Sequence, residues 1–182
     1  MLVVKFISSI KFNLVVKISL GDIMEYVYIG KLVNTHALKG EVKIISNFEY
    51  KDKAFVKGKH FYIDNEKVTI NSYRHHKIFD MVTFKEYDYI NDVLKFKGKK
   101  VYMDKEELGL EKDDLLFSDY IGLDGYYNDK FIGKINDIIV NNGYKLFYVS
   151  GKYIPFNKEF IENVDIKNKK IIFKGVDGLL WE

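Results

Sequence analysis

No cysteine occurs among the 182 residues, and proline and tryptophan occur once each. Without thiols there can be no disulfide, no thiolate metal centre and no thiol nucleophile, and such a composition fits a reducing compartment. Arginine is almost as scarce. Of 29 lysines and arginines only Arg74 is an arginine, so any contact with phosphate has to lean on lysine point charge rather than on planar forks. An AT-rich coding sequence accounts for that bias and for the abundance of Ile, Asn, Tyr and Phe. Also missing are the Gly-rich phosphate loops, the HExxH zinc motif, the nucleophile elbow and the calcium loop. The four histidines, His36, His60, His75 and His76, offer no ligand set, because adjacent His75 and His76 point to opposite faces of a strand. No catalytic residue, metal or cofactor is expected. Asp113-Asp114 reads as a solvated charge run, and His36 near Glu41 as a loop histidine bonded to its turn.

What is present describes a globular chain: 47% of residues are apolar and 16% aromatic. The net charge of +3 is unevenly spread. From Met24 to Lys100 there are 15 basic and 10 acidic residues; from Val101 to Glu182 there are 11 and 15. The split suggests two domains with different partners, the second of them acidic.

Residues 1–23 are apolar but interrupted by Lys5, Lys11 and Lys17, which disfavours a membrane span of roughly 20 apolar residues. No unbroken apolar run with a small-x-small site marks a signal peptide. The expectation is that translation starts at Met24 and that 1–23 is a non-native upstream extension. Gly21-Asp22 can be encoded by GGAGAU, which resembles a ribosome-binding site. An amphipathic surface anchor is the alternative.

From Met24 onward short β-rich runs alternate with polar turns. Tyr26–Val33 and Val42–Ser46 flank the loop Asn34–Gly40; His60–Ile63 and Val68–Tyr73 flank a turn at Asp64-Asn65-Glu66; Ile78–Phe84 follows. Asp88 is placed to cap a helix over Tyr89–Phe96, with Tyr89, Ile90, Val93 and Leu94 on one stripe and Gly98 ending it. After a strand at Lys100–Met103 comes a charged stretch, 104–114, read as an acidic linker. Phe131–Val140 and Tyr144–Ser150 are joined at Asn141-Asn142-Gly143, a hairpin signal, and Asp165–Lys170 holds another turn. Pro155 marks a bend or an edge. The fold expected is mainly β: a small barrel over 24–103, the linker 104–114 and a second barrel over 115–182, with one or two short helices.

Tyr28-Ile29-Gly30-Lys31 followed by Asn34-Thr35-His36-Ala37-Leu38-Lys39-Gly40-Glu41-Val42-Lys43 resembles the opening of the RimM family, a G-x₅-H-G-L-[KR]-G-E-[VL] pattern. Ala37 departs from it, standing where the family has glycine. Arg74-His75-His76-Lys77 and the helix after Asp88 resemble the later part of the same domain. Asp119–Leu123, Phe131–Ile135 and Tyr153–Phe156 look like strands of a PRC barrel, and the last residues resemble the family's terminus. In all, about Glu25 to Trp181 is covered. The resemblance implies a translation-factor-like N-terminal barrel and a C-terminal PRC barrel. It also implies a monomeric, cytoplasmic accessory factor that binds the nineteenth small-subunit ribosomal protein and the immature small subunit, and promotes 16S rRNA maturation. Its partner-binding residues would be His36, Lys39, Gly40, Leu115, Leu116, Phe117, Asp119 and Tyr120. Leu115-Leu116 stand where the family has two tyrosines, so an anchor there is aliphatic plus Phe117, or else the leucines pack between the domains. Two rivals remain: a module that binds 16S rRNA directly, and an enzyme on a flavin-reductase-like barrel, which has no site residues in this sequence.

Overall fold

The computed structural model describes residues 14–18, 23–111, 113–141 and 143–180. It divides into two compact units, the first running to Asp114 and the second from Leu115.

In the first unit β1 (Leu14–Ile18) pairs antiparallel with the start of β2 (Ile23–His36), so part of the stretch read as an upstream extension forms a strand, while 1–13 and 19–22 lie outside the described residues. The rest is a closed ring. β2 pairs with β3 (Glu41–Ile45), and the order continues through β6 (Phe79–Phe84), β5 (Glu66–His76), β4 (His60–Ile63) and β7 (Lys100–Asp104), which returns to β2. One strand can close the ring because β2 is 14 residues long and its register slips twice, between Tyr28 and Gly30 against β7 and between Leu32 and Asn34 against β3. Such irregularities bend and twist a strand, which a small barrel needs. Alternate residues fill the interior: Val42 and Ile44, Phe61 and Ile63, Val68 and Ile70 are all fully buried. The β4–β5 turn is local chemistry, with Asp64 and Asn65 at φ +52° and +69°, which Asp and Asn tolerate.

The short helix begins later than the sequence suggests. Tyr89 rather than Asp88 takes the extended N-cap position of α2 (Ile90–Val93), and Leu94–Phe96 continues as a 3₁₀ turn. The tighter 3₁₀ period sets Val93 and Phe96, three apart, on the buried side. Tyr89 and Leu94, expected on that stripe, are exposed instead.

Asp104–Asp114 does not hang free. Asp104 caps α3 (Lys105–Leu108) by accepting from the Glu106 N–H, Leu108 is buried, and Gly109 ends the turn at φ +64°. Lys53 reaches the Gly109 carbonyl and Asp114, Lys59 the Leu108 carbonyl, and Glu107 accepts from both the backbone and the ring of His60. Another short helix, α1 (Lys51–Ala54), carries the first of these lysines; in chain order α1 precedes α2.

The second unit begins with α4 (Phe117–Tyr120), where a strand over Asp119–Leu123 was expected. The Asp119 carboxylate accepts from the Leu116 N–H and so favours the helical turn. Six strands follow: β8 (Asp124–Tyr127), β9 (Lys130–Asn141), β10 (Tyr144–Val149), β11 (Lys152–Pro155), β12 (Ile161–Asp165) and β13 (Lys170–Phe173), ordered β11-β10-β9-β8-β13-β12. β8 and β13 run parallel; all other pairs are antiparallel. β9 serves both halves, pairing with β8 up to Lys134 and with β10 from Ile135. It turns at Gly133, φ +138°, where a Cβ would lie 2.5 Å from the Ser150 hydroxyl. Phe147 is the hub, with Tyr120, Phe156 and Phe173 rings 4.7–5.5 Å away. α5 (Asp177–Leu180) closes the described chain with Leu180 buried. Pro155 ends β11, a terminal strand of the sheet.

Dividing the chain at Asp114 changes the charge reading. Residues 115–182 hold nine basic and nine acidic residues, so the second unit is neutral. The acidity assigned to it lies in 104–114, with six acids against two lysines, and that segment belongs to the first unit.

Candidate functional site

The loop between β2 and β3 is tied to the chain just ahead of α2. Ala37 adopts φ +62°, a left-handed conformation that costs an L residue about 1–2 kcal/mol. Leu38 is 79% exposed, yet its carbonyl accepts from the Ile90 N–H at 3.0 Å. Gly40, buried at φ +69°, brings the chain so close to the next segment that a Cβ would stand 3.1 Å from the Tyr87 carbonyl oxygen and 3.3 Å from that of Tyr89. His36 and Lys39 are exposed beside them. The loop is therefore fastened to residues 87–90, and Tyr89, 70% exposed, joins it. Sequence reading places Tyr89 on a helix stripe and does not bring it to this loop. The apolar spacing that suggests a stripe cannot show that the helix starts one residue later.

Behind the loop, Glu41 accepts from the only arginine. Arg74 Nε and Nη2 lie 2.8 and 2.7 Å from its two oxygens, and His36 Nε2 is 3.9 Å away. Farther along the same sheet, opposite Ile44 and His75, Asp80, with no solvent exposure, accepts from Lys51 Nζ at 2.7 Å and from the Tyr73 hydroxyl at 2.9 Å, with His75 Nδ1 at 3.5 Å. Burial, then the Asp80 bond, pushes the Tyr73 phenol up to about 12. A carboxylate walled in by three partners is a structural staple with no room for substrate.

In the second unit the candidates separate. Leu116 and Tyr120 are buried, Tyr120 between Phe147 and Phe156, so both serve packing. Leu115 packs against the same core. Phe117 is half-buried, edge-on to Phe156 at 5.3 Å with Lys145 Nζ 5.1 Å from its ring, and so is not a free anchor. Asp119 holds the helix start. His36, Lys39 and Gly40 thus lie together on one loop of the first unit, and Leu115–Tyr120 on one turn of the second.

Among the described residues no group of three or more His, Asp and Glu is arranged to hold a metal. Among them, too, no helix is long and apolar enough to cross a membrane. The molecule is of the class built from two small β units, whose prominent features are exposed loops and charged sheet faces.

Comparison with known families makes this specific. The RimM N-terminal domain matches residues 27–108 and the RimM PRC barrel domain residues 117–179. The ribosome maturation factor RimM of an Exiguobacterium species is 32% identical over 168 residues, covering 86% of this chain and 98% of that protein. Its counterpart in Staphylococcus haemolyticus is 35% identical over 164 residues, covering 85% and 98%. A crystal structure of a 16S ribosomal RNA processing protein RimM from Pseudomonas aeruginosa aligns with 81% of this chain and 96% of its own, at 17% identity and a TM-score of 0.42. This chain belongs to the RimM family.

Proposed function

We propose that the chain is an accessory maturation factor of the small ribosomal subunit, working in the cytoplasm as a monomer and promoting 16S rRNA processing through binding rather than catalysis. The observation that carries this reading is that both family domains match in order, over relatives named ribosome maturation factor and covered almost end to end. Its partners are a head ribosomal protein, the nineteenth of the small subunit, and the immature subunit.

The docking element on the first unit is the loop His36–Gly40 with Tyr89. Exposed leucine and tyrosine side chains held by a hydrogen-bonded backbone lose little entropy on binding and supply apolar contact area, while Lys39 and His36 form a polar rim. In the second unit the turn at Leu115–Tyr120 contributes through shape, since its apolar side chains are largely committed to packing.

Co-sedimentation with immature and mature small subunits tests the function, and a pull-down with the isolated ribosomal protein tests the partner. Binding to immature subunits that Leu38→Ala and Tyr89→Ala weaken together supports the loop. Equal recovery with mature subunits, or none with either, removes the maturation reading.

A further inference from the structure

The outer face of the first barrel separates its charges in a way the docking loop does not use. Strand pairing sets Lys43 of β3 opposite Met81 of β6, and Met81 opposite Arg74 of β5; Phe79 faces His76, and Lys31 of β2 faces Ile45. Residues paired directly across antiparallel strands project to the same side, so these share one surface. Burial along β3 agrees, since Glu41, Lys43 and Ile45 are more exposed than Val42 and Ile44. On this surface Lys43 Nζ stands 5.3 Å from the centre of the Phe79 ring. At its end the β5–β6 hairpin turns through Lys77, φ +57°, and Ile78, 68% exposed.

The carboxylate that the register places on this face is withdrawn: the Glu41 side chain is 15% exposed and held by Arg74, while Asp80, paired with buried Ile44, points to the other side of the sheet. Among the described residues no carboxylate pairs with Lys31, Lys43, His76 or Lys77. Residues 24–114 contain 17 basic and 16 acidic residues, so this cationic face reflects distribution rather than excess. Of the acids in 104–114, Asp114 pairs with Lys53 and Glu107 with His60, away from this face.

We propose that this β2–β3–β6–β5 face binds RNA, with Lys31, Lys43 and Lys77 on backbone phosphates and the Phe79 ring against an unpaired base. Lysine ammonium groups on flexible stems suit a phosphate track, and a flat ring between them accepts any base. Lys43 moves from the ring to a phosphate as the base arrives. An acidic protein segment would use the cations but has no need of the ring, and that favours RNA. Only the identity of the RNA, that of the small subunit, rests on the function proposed above.

The test uses the full chain and a labelled RNA stem-loop with a single-stranded tail, followed by fluorescence anisotropy over a range of salt. Lys77→Glu, at an exposed turn, and the double variant with Lys43→Glu should weaken binding about tenfold or more at ~0.1 M salt. They should also flatten the log–log salt slope by about 0.7–0.9 per lost contact. Phe79→Leu should weaken binding to the tailed RNA while leaving a blunt duplex unaffected, and melting curves check that each variant folds. The proposal is overturned if the parent binds no RNA, if Lys77→Glu binds as the parent does, or if polyglutamate competes as well as RNA. Because subunit sedimentation is measured separately, loss of this face with sedimentation intact leaves the maturation role standing.

Discussion

Arg74 grips Glu41 at two points across the outside of the first barrel, with both nitrogen–oxygen distances below 3 Å. The pair lies on the surface of β3 and β5 that also carries Met81. Met81 points outward by register and is still only 1% exposed. Lysine has the charge but not the fork. Arg74→Lys should therefore lower the melting temperature, and Arg74→Ala should lower it further by uncovering Met81. Thermal melts at low and high salt check this; an Arg74→Lys protein that melts with the parent in both would show that the two-point geometry contributes nothing.

The loop offers two opposed glycine tests. Ala37 already sits at φ +62°, so Ala37→Gly should stabilise the fold by about 0.5–1 kcal/mol after the greater freedom of glycine in the unfolded chain is offset. Gly40→Ala should destabilise it by about 1–3 kcal/mol, through strain at φ +69° and crowding against the Tyr87 and Tyr89 carbonyls. Denaturant unfolding measures both, and equal signs would refute the account.

Tyr73 predicts an alkaline limit. Burial first, and then its bond to Asp80, raises the phenol to about 12; burial, then Tyr62 and Asp104, raises Tyr26 to about 12 as well. A pKa raised in the folded state means that the neutral form is favoured by folding. The associated stability is fully present below the unfolded value of about 10 and is lost as pH climbs from there through about 12. Stability followed against pH should fall over that window, and Tyr73→Phe should fall less steeply. A flat profile to pH 12 would contradict the raised titration of both phenols.

Stability and docking should separate by position. Leu116→Ala, at a buried site, should cost about 2–4 kcal/mol, whereas Lys39→Glu, on the exposed loop, should change stability by less than about 0.5 kcal/mol. If the loop docks, Lys39→Glu weakens sedimentation with immature subunits while its unfolding curve stays in place. A Lys39→Glu protein that loses both together would make the loop structural.

Local chemistry determined a good part of this. The β4–β5 hairpin, the β9–β10 hairpin and the turn where Asp165 accepts from the Asn168 N–H follow from residues adjacent in the chain. So does the positive φ of Gly40, and the run from Tyr28 to Lys43 is distinctive enough to suggest the family by itself. Helix limits were less legible. A 3₁₀ turn changes the period from 3.6 to 3, and the Asp119 cap produces a helix where β-rich residues suggest a strand.

Tertiary structure decided what depends on residues far apart. Closure of β2 on β7 joins Tyr28 to Tyr102, and the parallel pair β8–β13 joins Gly125 to Ile171; no periodicity encodes such partners. The same holds for the allegiance of Asp104–Asp114. Its composition reads as a solvated linker, and only Lys53, Lys59 and His60, brought alongside by the barrel, turn it into part of the first unit and leave the second neutral. Which carboxylates are hidden beneath cations, as Asp80 and Glu41 are, was settled there too. The side chains that screen them come from other strands and from α1, and sequence reports charge without reporting which charges meet water.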